Sequence, residues 1–381
     1  MNYVTAPQTI IKYFKDIYIT IKPFLNINNN NNKNPNKLII EPINGGGIRN
    51  DILKVTYIWD STKIEKVSIV SKRYFCKFKH SNIQGPISLL KRCQFEYDLL
   101  HFLQGQKNSI LDTVNTPTPI FYDRCLNLIL MSDCKQKGIA RYSANIQLID
   151  PKCKIPAKIG SWLNQFHCLE VFKSQQELLE RKNINAFTLK YQINSAKQVF
   201  IKHKRRNENV NKFLLETNKH KIATLHGDLC PKNILVDKNG YVTLLDFEVC
   251  AIGDSAYDLG FFLAHYIIDY LMDRISSNYL NQVFYDTLRA YFSDGYKRDK
   301  DQLIRICRWC GITILYRSKH LEFLFIDNKG SLVELLEIVG LSFFDATNST
   351  LKHFLYDPSV LLDTILDTIR NLKVLTKSRN D

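Results

Sequence analysis

The chain has 381 residues, 45% of them hydrophobic and 23% charged. That is enough for two modest domains or one large bilobal one, and it excludes a mostly disordered, collagen-like or simple coiled-coil chain. Its 52 lysines and arginines against 37 aspartates and glutamates give a formal charge of +15, a balance that suggests an anionic partner such as a nucleotide, a nucleic acid or a membrane surface. Residues 259–381 hold equal numbers of acidic and basic side chains, so the whole excess lies in residues 1–258.

Ten cysteines are scattered along the chain rather than spaced as a small secreted framework, which favours a reducing, intracellular setting. Cys307 and Cys310 have metal or redox spacing, but Leu303, Ile306, Cys307, Cys310 and Ile314 recur at helical intervals, and a buried helix face is the expected reading. The N-terminal segment has no uninterrupted apolar run, so no signal peptide is read. The most apolar stretch, Tyr257 to Met272, carries Asp258, His265 and Asp269 and falls short of a membrane span. A cytoplasmic protein is expected.

In chain order, residues 9–27 read as a short amphipathic helix, followed at 28–36 by the polar tract NNNNNKNPN, a flexible insert with nothing to bury. From Lys37 the pattern becomes β. An apolar run (Leu38, Ile39, Ile40, Ile43) leads to the break Asn44-Gly45-Gly46-Gly47, then to a strand from Leu53 to Trp59, a turn at 60–63 and a strand from Val67 to Tyr74. Leu89, Leu90, Cys93, Phe95, Tyr97, Leu99, Leu100 and Leu103 suit a helix, and short strands at 120–122 and 127–131 complete a small sheet ending near Asp133. Beyond it the chain turns helical. Ile159, Trp162, Leu163, Phe166 and Leu169 mark an amphipathic helix, and one basic helix is expected near 193–218. Ile234 to Val236 and Val242 to Leu245 are β-rich, with Asp237-Lys238-Asn239-Gly240 as a hairpin turn between them. Helices are then expected at 256–272, 280–292, 300–320, 331–339 and 358–375.

The chemistry concentrates in Leu225-His226-Gly227-Asp228-Leu229-Cys230-Pro231-Lys232-Asn233, followed by Asp246-Phe247-Glu248 at the far end of the hairpin. An Asp and an Asn five apart on a loop entering a hairpin, with a second Asp where the hairpin ends, can converge on one point. Phosphoryl transfer to a hydroxyl needs this set: one carboxylate to orient the hydroxyl and accept its proton, and an amide oxygen and a second carboxylate to hold Mg²⁺ against the triphosphate. Capped turns alone would not explain why the hairpin joins both parts.

Residues 226–265, HGDLCPKNILVDKNGYVTLLDFEVCAIGDSAYDLGFFLAH, resemble the aminoglycoside phosphotransferase and choline kinase superfamily of small-molecule kinases. The resemblance extends in weaker form over roughly 38–320. It implies an α+β, protein-kinase-like bilobal fold: an N-terminal helix and insert (1–37), a small antiparallel β N-lobe that binds nucleotide (38–133), and a larger, mostly helical C-lobe with the catalytic loop (134–381). It also implies Asp228 as the residue that positions the hydroxyl and Asn233 and Asp246 as metal ligands, with ATP and Mg²⁺ as cofactors. His226 and Asp258 are expected to brace the loop.

Upstream, Lys72 lies on the third strand with Val70 on the same face, suited to reach the phosphates, although Arg73, Lys77 and Lys79 compete. Glu96 resembles the helix glutamate that pairs with this lysine. Gly45, Gly46 and Gly47 allow backbone amides to approach phosphate, and Met131, Ser132 and Asp133 resemble the strand end that meets adenine. The chain reads His-Gly-Asp and Asp-Phe-Glu where protein kinases have His-Arg-Asp and Asp-Phe-Gly, and no Ala-Pro-Glu segment follows, so a small-molecule acceptor is expected. Two rivals stay open: a nucleotide-binding protein of this fold without catalysis, and a nucleic-acid-binding protein using runs such as Lys202-His203-Lys204-Arg205-Arg206.

Overall fold

The computed structural model describes residues 8–25, 35, 37–43, 50–59, 65–74, 89–106, 114–134, 140–141, 153–169, 182–205, 207–220, 223–292, 300–320 and 330–345. Gly45 to Gly47, the Asn tract at 28–34, the turn at 60–63, Lys77, Lys79 and the helix expected at 358–375 lie outside the described residues. The chain divides into two compact units, one of Met1–Asn108, Asn115–Ile139 and Thr243–Glu248, the other of Ser109–Val114, Ala140–Val242 and Val249–Asp381.

The first unit opens with helix α1 (Gln8–Ile21) and strands β1 (Lys37–Pro42), β2 (Asn50–Trp59) and β3 (Glu65–Tyr74), followed by helix α2 (Leu89–Gly105), the second residue of the two-residue strand β4 (Val114–Asn115), β5 (Pro119–Asp123) and β6 (Leu128–Ser132). Five of the strands form an antiparallel sheet in the order β1-β2-β3-β6-β5. Two-residue alternation gives this sheet two unlike faces. Val55, Tyr57, Trp59, Ile69, Leu128 and Leu130 pack with Phe14, Ile17, Tyr18 and Ile21 of α1, while Val70, Ile129 and Met131 pack with Cys93 of α2. Pro23, at the first turn of a short 3-10 segment, follows the end of α1. Tyr57 Oη donates to the Phe14 carbonyl and Tyr13 Oη to Asp123, fixing α1 on its face. On the α2 face the directly opposed pair Thr56 and Ser68 is hydrogen-bonded at 2.9 Å, and Lys72 follows four residues after Ser68.

The second unit contains β7 (Ala140–Arg141), α3 (Ile155–His167), α4 (Lys182–Lys202), α5 (Glu208–Thr217), β8 (Ala223–Leu225), β9 (Ile234–Val236) and the start of β10 (Val242–Leu244). It continues with β11 (Ala251–Gly253), α6 (Ala256–Leu271), α7 (Ser277–Tyr291), α8 (Lys300–Lys319) and α9 (Gly330–Phe344). β8 pairs antiparallel with β11, and β7 with β9. The hairpin turn after β9 is closed by Asp237, whose carboxylate accepts the Asn239 and Tyr241 amides at 2.8 Å. Lys158 of α3 donates to the Gly240 carbonyl at 2.7 Å and ties the turn to the helical body.

The single basic helix expected near 193–218 is two helices. α4 stops because Lys204 takes a left-handed conformation (φ 54), with its amide bonded to the Ile201 carbonyl and the Arg205 amide to that of Phe200. That pair of bonds is the helix stop normally built on glycine. Glu337 of α9, fully buried, receives Lys202 and His203 from the end of α4, which fixes the geometry of that stop. Cys307 and Cys310 are buried in α8, and burial pushes the Cys307 thiol up to about 12, as the helix reading requires.

Candidate active site

Two clusters carry the residues singled out above, one in each unit. In the first, Lys72 of β3 is buried, and its Nζ lies 2.8 Å from Glu96 Oε2 of α2, 2.5 Å from Asp246 Oδ1 and 3.6 Å from Glu248 Oε2. Burial opposes the lysine's charge, but the Asp246, Glu96 and Glu248 carboxylates outweigh it and raise its affinity for a proton. Glu96 is pushed the same way by burial, with Lys72 pulling against it. Its second oxygen accepts the Phe247 amide at 3.1 Å. Glu248 is also ion-paired to Arg92, one helical turn before Glu96 on α2, at 2.7 Å. Asp246 itself adopts φ 69, a left-handed conformation that few residues other than glycine, asparagine and aspartate take. Of the lysine's rivals, Arg73 is exposed and alternates to the other face of β3.

Met131 pairs with Val70 across the sheet and is buried. The Ser132 amide donates to the Thr118 carbonyl and its Oγ accepts the Thr118 amide, so its polar groups are engaged inside the sheet. Asp133 is buried and paired with Lys54 at 2.8 Å.

In the second unit the loop after β8 is held from below. Gly227 has φ 82, and a Cβ there would lie 2.5 Å from the Val249 carbonyl oxygen, so glycine is required both for conformation and for space. Asp258, in the first turn of α6 and fully buried, accepts the His226 amide at 2.7 Å and the Gly227 amide at 2.9 Å. His167 of α3 reaches the same carboxylate at 3.2 Å, with Tyr291 of α7 on its other nitrogen. Gln192 of α4 donates to Tyr257, whose hydroxyl donates to the Gly227 carbonyl. The fully buried His226 presents Nδ1 to the Asp228 amide at 3.3 Å.

Held this way, Asp228 has a quarter of its side chain exposed, with Lys232 Nζ 3.3 Å from its Oδ2. Asn233 directs its amide nitrogen at the Asp228 carbonyl (2.8 Å) and carboxylate (3.1 Å). Its Oδ1 is therefore the atom it can offer to a cation. Asn233 Oδ1 in this unit and the Asp246 carboxylate in the other are each hard oxygen donors of the kind magnesium takes.

His265, one helical repeat along α6, is fully enclosed. Its Nδ1 donates to the Phe261 carbonyl at 2.8 Å and its Nε2 accepts from Arg317 of α8. Burial, then the Arg317 charge, bring its pKa down to about 3. Because this lies below the unfolded value, the unfolded chain binds the proton first, and stability falls as pH drops from about 6.5 towards 3. By pH 5 the loss from this group should reach roughly 2 kcal/mol. His265→Gln can keep both hydrogen bonds without titrating. Denaturant unfolding at pH 7 and pH 5 should show a smaller acid loss in the variant, and parallel losses would contradict the neutral, buried histidine.

Sequence reasoning singled out Lys72, Glu96, Asp228, Asn233, Asp246, His226 and Asp258 as candidates; it did not single out Arg92, His167, Gln192 or Tyr291, which the structure places around them. The only signal for Arg92 is its place one turn before Glu96. The others are brought in by helices far apart in sequence.

An antiparallel sheet with a lysine held by a helix glutamate, followed by a mostly helical unit with an Asp and an Asn on one braced loop, defines a kinase-like fold. Residues 65–302 match the phosphotransferase enzyme family, well over half of the chain, and the chain belongs to that family. No match is found among curated proteins. Among solved structures, an ethanolamine kinase of Plasmodium vivax is 14% identical, with 91% of this chain and 90% of that one covered at a TM-score of 0.51. A choline kinase of Cryptosporidium parvum is also 14% identical, with 98% and 97% covered and a TM-score of 0.44. The complex of gentamicin with the phosphotransferase APH(2")-IIa is 14% identical, with 91% and 98% covered and a TM-score of 0.47. Among the described residues no helix is long and apolar enough to cross a membrane.

Proposed function

We propose that this phosphotransferase moves the γ-phosphoryl group of ATP to a hydroxyl of a small molecule. The observation that carries the reading is the buried Lys72, held by Glu96 and Asp246, an arrangement that suits a fixed positive charge presented to phosphate. In this reading Lys72 aligns the α- and β-phosphates, and Glu96 fixes the lysine. Gly45, Gly46 and Gly47 offer backbone amides to phosphate, and Met131, Ser132 and Asp133 form the strand end that meets adenine. Asn233 and Asp246 hold Mg²⁺, which supplies positive charge against the triphosphate. Asp228 orients the acceptor hydroxyl and takes its proton as the oxygen bonds to the γ-phosphorus and ADP leaves. His226 and Asp258 keep Asp228 in place.

The scattered spacing of the ten cysteines supports a reducing compartment and the cytoplasm as the location. The test is turnover of ATP in the presence of Mg²⁺ with a panel of hydroxyl compounds that includes ethanolamine, choline, an aminoglycoside and several sugars. One acceptor should give stoichiometric ADP and phosphorylated product, and Asp246→Asn should weaken Mg²⁺-dependent ATP binding. Binding of ATP with the same affinity with and without Mg²⁺, in both proteins, would remove Asp246 from the metal site.

A further inference from the structure

Three carboxylates crowd one lysine. Lys72 Nζ lies 2.8 Å from Glu96, 2.5 Å from Asp246 and 3.6 Å from Glu248, and the ligand oxygens of these three acids all fall within 4.8 Å of one another. An ammonium group has three donor hydrogens. If all three carboxylates drew on them equally, none would remain for a phosphate.

The third carboxylate is treated differently from the other two. Glu248 Oε1 sits 2.7 Å from the Arg92 guanidinium, while only Oε2 approaches Lys72, at a distance beyond hydrogen bonding. The Glu248 side chain is 5% exposed and Arg92 13%, so the pair is largely shielded from water and breaking it leaves a poorly solvated charge. Arg92 and Glu96 are spaced i, i+4 on α2 and therefore share a face. One helix face thus delivers both the acid that holds the lysine and the base that holds a competing acid away from it.

We propose that Arg92 is a positioning residue for nucleotide binding: by claiming the charge of Glu248 it keeps that carboxylate from closing on Lys72, which leaves the lysine available to phosphate. The inference rests on the reading of Lys72 as the phosphate-aligning residue. Without Arg92 the buried Glu248 carboxylate still has the Lys72 ammonium 3.6 Å from its Oε2. It would move onto the ammonium group and compete with the nucleotide.

The experiment measures Mg²⁺-ATP binding by titration calorimetry, with the fold of each variant checked by circular dichroism and melting temperature. Arg92→Ala should bind roughly 10- to 100-fold more weakly than the native chain, because one partner of a buried pair has been removed. Arg92→Lys should restore most of the affinity, since it restores the charge. The decisive variant is Arg92→Ala combined with Glu248→Gln. It removes the competitor as well as its guard and should bind within about threefold of Glu248→Gln alone. Glu248→Gln alone should bind about as tightly as the native chain.

If Arg92 were only a brace between α2 and the Asp246-Phe247-Glu248 segment, Glu248→Gln would weaken binding as much as Arg92→Ala and the double variant would recover nothing. Either result overturns the proposal. Should Arg92→Ala fail to fold, Glu248→Gln and Arg92→Lys still decide, because the brace and the guard predict opposite affinities for the former. A native chain that binds no nucleotide at all would overturn the phosphotransferase reading itself. Tight binding by the native chain without recovery in the double variant would overturn the role of Arg92 alone.

Discussion

Asp228→Asn should fold, keep Mg²⁺-ATP binding and turn over roughly 10²- to 10⁴-fold more slowly than the native chain. The fold should survive because the loop's buried anchors lie elsewhere, at the His226 and Gly227 amides and the Gly227 carbonyl, and asparagine keeps an oxygen that can accept the Asn233 amide. Binding should survive because Asn233 and Asp246 keep their donor oxygens. In the proposed role of Asp228 the variant loses the group that takes the hydroxyl proton, a loss of about 3 to 5 kcal/mol of transition-state stabilisation. Asparagine can still accept a hydrogen bond from the acceptor, so its KM should change little while kcat collapses. Steady-state kinetics with saturating ATP and a competent acceptor make the comparison, and undiminished kcat would mean that the loop has been misread and that a nucleotide-binding protein without catalysis must replace the enzyme.

Asp258→Ala acts on the same loop from below and should be the most destabilising substitution near it. Two buried backbone amides, of His226 and Gly227, lose their acceptor, and His167 loses the carboxylate at its Nε2. An unsatisfied buried donor costs about 1–3 kcal/mol, so the sum should be at least about 3 kcal/mol, with a fall in melting temperature of roughly 4 °C or more. Activity should fall with it, because the Asp228 backbone is no longer pinned. Glu216→Ala, which removes the exposed pair with Arg308, should change stability by less than about 0.5 kcal/mol. Equal melting temperatures for Asp258→Ala and Glu216→Ala would show that α6 does not carry the loop.

The parts legible in the sequence are those whose signal is local. The β3 alternation placed Val70 and Lys72 together, and the DKNG turn, the His226 to Asn233 run and the apolar repeat around Cys307 each announce their geometry within a dozen residues. The end of α4 was not legible, because its stop falls on Lys204 in place of the glycine or proline that would mark it, and Glu337, more than a hundred residues on, decides where the basic run breaks. The same holds for the pairing of Arg92 with Glu248 and of His265 with Arg317. Each partner is an ordinary charged or polar helix residue, and only the packing of elements distant in sequence selects it.

The left-handed backbone at Asp246 has a bearing on how this position can vary. With the metal role proposed above, side chain and main chain impose separate demands there: an oxygen ligand on one hand, tolerance of positive φ on the other. Aspartate and asparagine meet both, glycine only the second, and alanine neither. Glutamate, closest to aspartate in chemistry, lacks the short side chain that can bond locally in this conformation. A library randomised at residue 246 and sorted for folded protein should therefore return glycine, asparagine and aspartate ahead of glutamate. The gap between glycine and alanine in that ranking isolates the conformational contribution, on the order of 1 kcal/mol, from the contribution of the ligand. Sorted instead for nucleotide binding, glycine should drop out and the acid should lead, so that two rankings from one library separate what the chain needs to fold from what it needs to hold a cation.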